Sequence, residues 1–278
     1  MASNLLLSPM LKWVGGKRQL LSQITPMINK KCSVYVEPFI GGGAVLFNMQ
    51  PKKAIINDYN KELINVYKMV RDNLDELVEL LKIHEENNSS DYYYEIRALD
   101  RDALFKNMSM VEKAARIIYL NKTCYNGLYR VNSSGQFNSP YGRYKNPNIV
   151  NEPVLKAISK YFNENDIKIT NGDYKEALKD LDKEAFVYLD PPYMPISSSS
   201  SFTRYTEGGF NYSSQVDLKE ECDKLTEQGI RFVQSNSDCP EIRELYRDYK
   251  IKTVKAKRAI NSVAKKRGEI NEVLIYNE

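Results

Sequence analysis

Asp190-Pro191-Pro192-Tyr193 combines three kinds of residue that suit one task. The string follows apolar residues 186–189, which read as a buried central strand, and the prolines stop that strand because they have no amide to continue the ladder. A carboxylate here accepts a hydrogen bond from an exocyclic amine. The stiff proline turn leaves a backbone carbonyl for the amine's second hydrogen, and the tyrosine ring offers a flat face to a planar base. Held in this way, a nitrogen lone pair that is normally delocalised into a ring is aimed at an electrophilic methyl. The attacking atom then belongs to the substrate, so neither a metal nor a covalent enzyme intermediate is expected. Chemistry at a ring carbon would need a cysteine nucleophile in a Pro-Cys context, and Cys32, Cys124, Cys222 and Cys239 each follow another residue type.

A second constellation lies earlier. Apolar residues 34–39 run into Gly41-Gly42-Gly43, and residues 44–49 resume a helical pattern, giving strand, tight turn and helix. Such a turn lets a ligand come close to the backbone where a side chain would collide. Glu37, Pro38 and Phe39 stand just before it. Asp58 closes the next strand, at residues 54–58, where α/β nucleotide sites place a carboxylate for ribose hydroxyls. Neither a P-loop nor a full Gly-x-Gly-x-x-Gly is present, and carboxylates repel phosphates, so phosphate cradling is not expected. Taken alone, the glycines also suit a plain turn, and Asp58 a cap before Asn60.

The elements that position these residues alternate at both ends of the chain. Residues 62–83 carry apolar side chains at helical spacing, and 91–104 and 110–123 predict two more helices with no parallel strand after either. Helix 153–163, strand 167–170 and short helix 174–181 lead to the strand at 186–189. After a serine-rich loop come helix 216–228, strand 231–234, helix 240–246 and strands 251–254 and 272–276. The fold class expected is α/β, a Rossmann-like fold with a mostly parallel sheet and an inserted, mainly helical domain. Residues 1–84 and 166–278 form the catalytic domain, and residues 85–165 the insertion. Within the insertion, residues 121–147 are rich in Asn, Gly, Ser and Tyr, contain Lys122, Arg130, Arg143 and Lys145, and have no acidic residue. A segment of that kind is expected to bury little and to face a partner.

Five ordered motifs give the chain a likeness to a known family. Leu11-Lys12-Trp13-Val14-Gly15-Gly16-Lys17-Arg18, Val36-Glu37-Pro38-Phe39-Ile40-Gly41-Gly42-Gly43, Ile56-Asn57-Asp58-Tyr59-Asn60, Gly172-Asp173 and Asp190-Pro191-Pro192-Tyr193 resemble those of the Dam-type DNA adenine-N6 methyltransferases of class alpha. The likeness includes the insertion, where Tyr125-Asn126-Gly127-Leu128-Tyr129-Arg130 and residues 136–145 match the target-recognition segment of members that act beside GATC restriction endonucleases. Ile40 replaces a more usual valine of similar shape.

The resemblance implies S-adenosyl-L-methionine as cofactor and double-stranded DNA as partner, with a cognate restriction endonuclease acting independently. It also implies an adenine flipped out of the duplex, which costs a few kcal/mol. Asp190, Pro191 and Tyr193 are then catalytic. Trp13, Gly15, Gly16, Lys17, Glu37, Pro38, Phe39, Gly41, Gly43, Asp58, Asp173 and Asp190 would hold the cofactor, with Asp58 on the ribose and Asp173 on the cofactor's adenine amine. Lys12, Asn126, Leu128, Arg130, Asn138, Pro140, Arg143, Tyr144 and Lys145 would meet DNA. The same role is expected of Lys265, Lys266 and Arg267, in the basic stretch 250–267. Arg130 matches the arginine that reads guanine, and Leu128 and Pro140 match apolar contacts beside thymine.

Bulk properties agree with a globular protein and exclude little else. The net charge of +4 is too mild to argue for nucleic acid. No apolar run approaches the roughly 20 residues of a membrane span, and residues 1–11 lack the basic start of a signal peptide. The scattered cysteines read as reduced thiols in a cytoplasmic protein. His84 reads as a helix cap or exposed side chain. Two other readings stay open at this level: methylation of cytosine N4, RNA or protein glutamine by the same kind of turn, and a non-catalytic DNA-binding relative.

Overall fold

The computed structural model describes residues 4–195, 210–257 and 269–277. Its seven strands are β1 (Tyr35–Glu37), β2 (Lys53–Asp58), β3 (Asp166–Asn171), β4 (Phe186–Leu189), β5 (Arg231–Ser237), β6 (Lys250–Lys257) and β7 (Glu269–Tyr276), in the order β3-β2-β1-β4-β5-β7-β6. β2, β1, β4 and β5 pair in parallel, whereas β7 pairs antiparallel with both β5 and β6. This is the expected mostly parallel sheet, closed by one antiparallel hairpin. β1 and β4 are buried at every position, as strands covered on both faces must be.

The chain divides into two compact units. The first comprises residues 1–16, 41–48 and 60–171, and the second residues 17–40, 49–59 and 172–278. In the second lie α1 (Leu21–Ile24) and most strands. Its core gathers Val36, Val187, Leu189, Leu218, Phe232, Ile242, Val273 and Ile275.

The first unit is mainly helical. It contains α2 (Ala44–Met49), α3 (Lys61–Asp72), α4 (Leu74–Glu86), α5 (Ser90–Ala98), α6 (Met110–Thr123) and α7 (Glu152–Glu164). Where the sequence reads as one helical run at 62–83, the structure breaks at Asn73 (φ −135°, ψ 41°), which ends α3 with its amide on Met69 O. Asparagine competes with the helix for backbone groups, so it favours such a cap. Ser109 and Glu112 form a reciprocal capping box that starts α6. His84 is a correction: its ring stacks on Tyr119 at 4.9 Å and its Nδ1 lies 2.7 Å from the Tyr92 hydroxyl. Burial lowers its pKa to about 4, so it packs as a neutral ring.

Residues 121–147 also differ from expectation, because Asn121, Thr123, Cys124, Phe137 and Ser139 are buried. The polar backbone of the segment is satisfied from the helices. Tyr93 Oη donates to Ser139 O at 2.9 Å, Arg101 donates to Phe137 O at 2.8 Å, and Asp100 accepts from Phe137 N at 2.7 Å. Arg116, 2% exposed, pairs with Asp100 at 2.8 Å and so anchors the acceptor.

The basic stretch is likewise not all loop. Lys250, Lys252 and Lys255 stand exposed along β6, the last strand of the sheet, where lysines discourage further strand pairing. Lys265, Lys266 and Arg267 lie outside the described residues, as does the serine-rich loop. The last two helices of the second unit are α9 (Tyr212–Glu227) and α10 (Pro240–Leu245), after the single turn α8 (Tyr174–Ala177).

The glycine turn is tightly constrained inside the first unit. Gly41 and Gly43 have φ of +47° and +72°, and a Cβ on Gly43 would lie 2.7 Å from Tyr67 Oη and 2.9 Å from Phe47. Tyr67 in turn donates to Gly41 O at 2.9 Å. Gly43→Ala is therefore expected to cost about 2–4 kcal/mol through strained backbone and overpacking. Urea unfolding of parent and variant checks this; equal midpoints would show that the turn has room.

Candidate active site

In the second unit, parallel pairing sends the ends of β1, β2, β4 and β5 to one edge of the sheet. Glu37, Asp58, Asp190 and Ser237 therefore emerge there together. β7 runs the other way, and its register sets Glu272 opposite Ser237 at the same edge. Lys17, in a single 3-10 turn before α1, brings its ammonium 2.8 Å from Asp190 Oδ1, with side-chain exposures of only 6% and 19%. The same ammonium sits 4.7 Å from the centre of the Tyr193 ring. Tyr193 donates its hydroxyl to Glu272 Oε2 at 2.8 Å.

This grouping shifts the chemistry of its members. Burial is the main cause that pushes the Asp190 carboxyl up to about 6, and Lys17 opposes it by charge and hydrogen bond, while Glu272 and Asp58 add to the rise. Tyr188 and Tyr193 are raised well above the usual phenol range, first by burial and then by the charge of Asp190. Tyr193 is consequently a hydrogen-bond donor at any ordinary pH.

The turn after Asp190 is held from beneath by polar groups that a hydrophobic reading passes over. Gln215 on α9 donates to Pro192 O at 2.9 Å and accepts from Asn236 Nδ2 at 2.9 Å. Asn236 accepts from Met194 N at 3.2 Å, and Ser237 donates to Met194 O at 2.7 Å. Gln215 and Asn236 are fully buried. Pro192 O is thereby engaged within the protein itself.

The remaining expected cofactor residues of this unit lie close along the same edge. Glu37, 2% exposed, accepts from Tyr35 Oη at 2.8 Å. Asn57 donates from one amide nitrogen to Pro38 O at 3.1 Å and to Gly172 O at 3.0 Å, tying the ends of two chain turns together. Phe39 stacks on Tyr174 at 5.0 Å. Asp173 uses Oδ1 to cap α8 through Lys175 N at 2.9 Å. No group of three or more His, Cys, Asp or Glu side chains among the described residues could hold a metal ion, and no described helix is long and apolar enough to cross a membrane.

The first unit by itself carries the other motifs. Trp13 stacks on Tyr129 at 4.9 Å, and its ring occupies the space that a Cβ on Gly41 would enter, 3.1 Å away. At these glycines the protein's own rings account for the missing side chain. Gly15 and Gly16 are exposed just after Trp13. Lys12, Asn126, Arg130, Pro140, Arg143, Tyr144 and Lys145 are exposed, and Leu128 and Asn138 partly so. The Lys12 ammonium lies 5.5 Å from the Tyr144 ring. Asn138 accepts from Arg130 Nε at 2.7 Å and, through its backbone carbonyl, from Nη2 at 3.1 Å.

Asn121 was not singled out by its sequence context, yet it organises this unit. Fully buried, it accepts from Lys12 N at 2.9 Å and donates to Lys12 O at 2.8 Å and Gly127 O at 3.1 Å. Gly127 (φ +64°) must lack a side chain, since a Cβ there would collide with the Lys12 stem. Gln215, Asn236 and Glu272 were missed as well. For Gln215 and Asn236 the available signal was a polar residue on the buried side of α9 and in the continuously buried β5.

Comparison with known proteins agrees with this geometry. Residues 13–260 match the profile of the D12 class N6 adenine-specific DNA methyltransferase family. The chain is 48% identical over 271 residues to Type II methyltransferase M1.LlaDCHI of Lactococcus lactis subsp. cremoris, covering 98% of this chain and 95% of that one. It is 43% identical over 291 residues to Type II methyltransferase M.MjaIII of Methanocaldococcus jannaschii, covering 97% and 98% of the two chains. It is also 34% identical over 267 residues to the DNA adenine methylase of Escherichia coli K12, covering 95% and 93%. With a half-buried Asp-Pro-Pro-Tyr turn at the sheet edge and this likeness along nearly its whole length, the chain belongs to the D12 class of N6 adenine-specific DNA methyltransferases, which use S-adenosylmethionine.

Proposed function

We propose that this adenine-specific DNA methyltransferase modifies the adenine of GATC in duplex DNA, with residues 85–165 as its target-recognition part and Asp190, Pro191 and Tyr193 as its catalytic residues. The observation that carries the reading is the Asp190 carboxylate held 2.8 Å from Lys17 beside the Tyr193 ring. The cofactor supplies a methyl on a positively charged sulfonium. A carboxylate-rich sheet edge without a phosphate loop fits such a cationic nucleoside, with Glu37, Asp58 and Asp173 as its polar partners in the second unit and Trp13, Gly15, Gly16, Gly41 and Gly43 as further contacts.

Asp190 accepts one hydrogen of the target amine and Pro191 O the other, while Tyr193 stacks on the flipped ring. As positive charge grows on the amine nitrogen, the fixed carboxylate stabilises it without moving, which is electrostatic preorganisation. Lys17 keeps that carboxylate ionised against its burial.

Specificity is assigned to the first unit. Asn138 orients the Arg130 guanidinium, so less side-chain freedom is lost when the arginine donates two bonds to guanine O6 and N7. Leu128 and Pro140 would meet the thymine methyl, and Lys12, Asn126, Arg143, Tyr144 and Lys145 the surrounding DNA. Lys265, Lys266 and Arg267 complete the proposed DNA contacts from outside the described residues. A cytoplasmic location and an independently acting cognate restriction endonuclease complete the proposal, the latter in keeping with the likeness to two Type II methyltransferases.

Three outcomes check the reading. Asp190→Ala should lower turnover by about a hundredfold or more while DNA affinity, dominated by phosphates, is largely kept. A loss of less than about tenfold would remove Asp190 from catalysis. Because the ionised carboxylate is required and its pKa is raised to about 6, kcat/KM should fall as pH drops through that value. Lys17→Met removes the group that lowers this pKa, so the acid limb should move to higher pH. An unmoved limb would mean that Lys17 does not set the charge of Asp190. Arg130→Ala should lose about one to two orders of magnitude of preference against duplexes changed only at the guanine. A common drop on every duplex would instead make Arg130 a backbone contact.

A further inference from the structure

We propose that Glu272 is a positioning residue for methyl transfer: from β7 it holds the Tyr193 hydroxyl and so fixes the plane of the ring on which the target base stacks. The inference rests on the stacking role proposed for Tyr193. Without a tether the phenol would be held mainly at its face, by the Lys17 ammonium 4.7 Å away. With the hydroxyl on Glu272 Oε2 at 2.8 Å the ring is fixed at its far end as well. Lys17 occupies one face, so a base stacks on the other.

Chemistry and register both favour this bond. The Tyr193 phenol is held well above its ordinary pKa and stays protonated, so it donates to a carboxylate in a charge-assisted bond, which is stronger than a neutral one. Glu272 is only partly exposed and sits in the antiparallel register opposite Ser237, whose hydroxyl grips Met194, the residue after Tyr193. β5 and β7 thus reach the turn through two paired positions, Ser237 and Glu272. Around Asp190 the facing groups are Lys17 from the turn before α1, Asp58 from β2, Tyr188 from β4, Tyr193 from its own turn and Glu272 from β7.

The test compares Glu272→Ala, Glu272→Gln, Tyr193→Phe, Tyr193→Leu and the Tyr193→Phe/Glu272→Ala double variant by kcat and KM on GATC duplex. The pH dependence of kcat/KM is recorded for each, and 2-aminopurine at the target position reports the flipped base. Glu272→Ala and Tyr193→Phe should each lower kcat/KM by about tenfold with the same change in 2-aminopurine emission, and the double variant should be no worse than either. Glu272→Gln keeps an acceptor oxygen and should rescue the rate, but its lost charge should move the acid limb to lower pH, a change that Tyr193→Phe should not produce. Tyr193→Phe reports the same bond without touching β7, should Glu272→Ala fail to fold. Parent-like kinetics of Glu272→Ala and Tyr193→Phe alongside a crippled Tyr193→Leu would overturn the role of Glu272 alone. A parent-like Tyr193→Leu would overturn the stacking reading itself, and the role of Glu272 with it.

Discussion

The second unit is organised around keeping one buried carboxylate charged. Asp190 stands at the end of a strand buried at every position, where desolvation favours the neutral acid, yet the transfer proposed above calls on the ionised form to stabilise a developing ammonium. Lys17 resolves this conflict at 2.8 Å. A pair of this kind gives little net stability, and removal of one member leaves the other charge buried without compensation. Its position therefore answers to function more than to folding, and the parallel sheet supplies the rigid edge on which both groups meet.

Rigidity of the turn comes from a less obvious source. Gln215, Asn236 and Ser237 are buried polar side chains, a costly choice unless each finds partners. They find them in the backbone of the turn itself, at Pro192 and Met194. A purely apolar end to β5 would pack as well but would leave those backbone groups unsatisfied. The network thus exchanges hydrophobic burial for a fixed backbone path through the turn, and low local dielectric strengthens each bond in it.

The first unit solves a related problem with different means. A glycine- and asparagine-rich segment has little apolar surface to bury, so it is fixed by hydrogen bonds from buried helical side chains: Tyr93, Arg116 through Asp100, and Asn121. Asn121 clamps both backbone groups of Lys12 while it also holds Gly127. The exposed polar side chains of Lys12, Arg130, Tyr144 and their neighbours are in this way carried on a fixed frame, which would limit the ordering cost of the recognition proposed for them.

What the sequence determined by itself is local. Mostly apolar runs at 34–39, 54–58 and 186–189, each containing or followed by an acid or a proline, specify strands and their carboxyl ends, because side-chain period and the missing proline amide act within a few residues. Glu37, Asp58 and Asp190 were legible for that reason, and so was the helical insertion. The break at Asn73, the burial of single residues such as Asn121, Phe137 and Ser139 within 121–147 and the extent of β6 were not, since caps and tertiary hydrogen bonds override an average pattern. The pairing of Lys17 with Asp190, of Tyr193 with Glu272 across 79 residues, and of Lys12 with Asn121 across 109 was decided only by the tertiary structure. Each of these contacts depends on strand order and register or on how a loop folds back onto a helix. Those are set by the packing of whole elements, about which no single stretch of sequence carries the information.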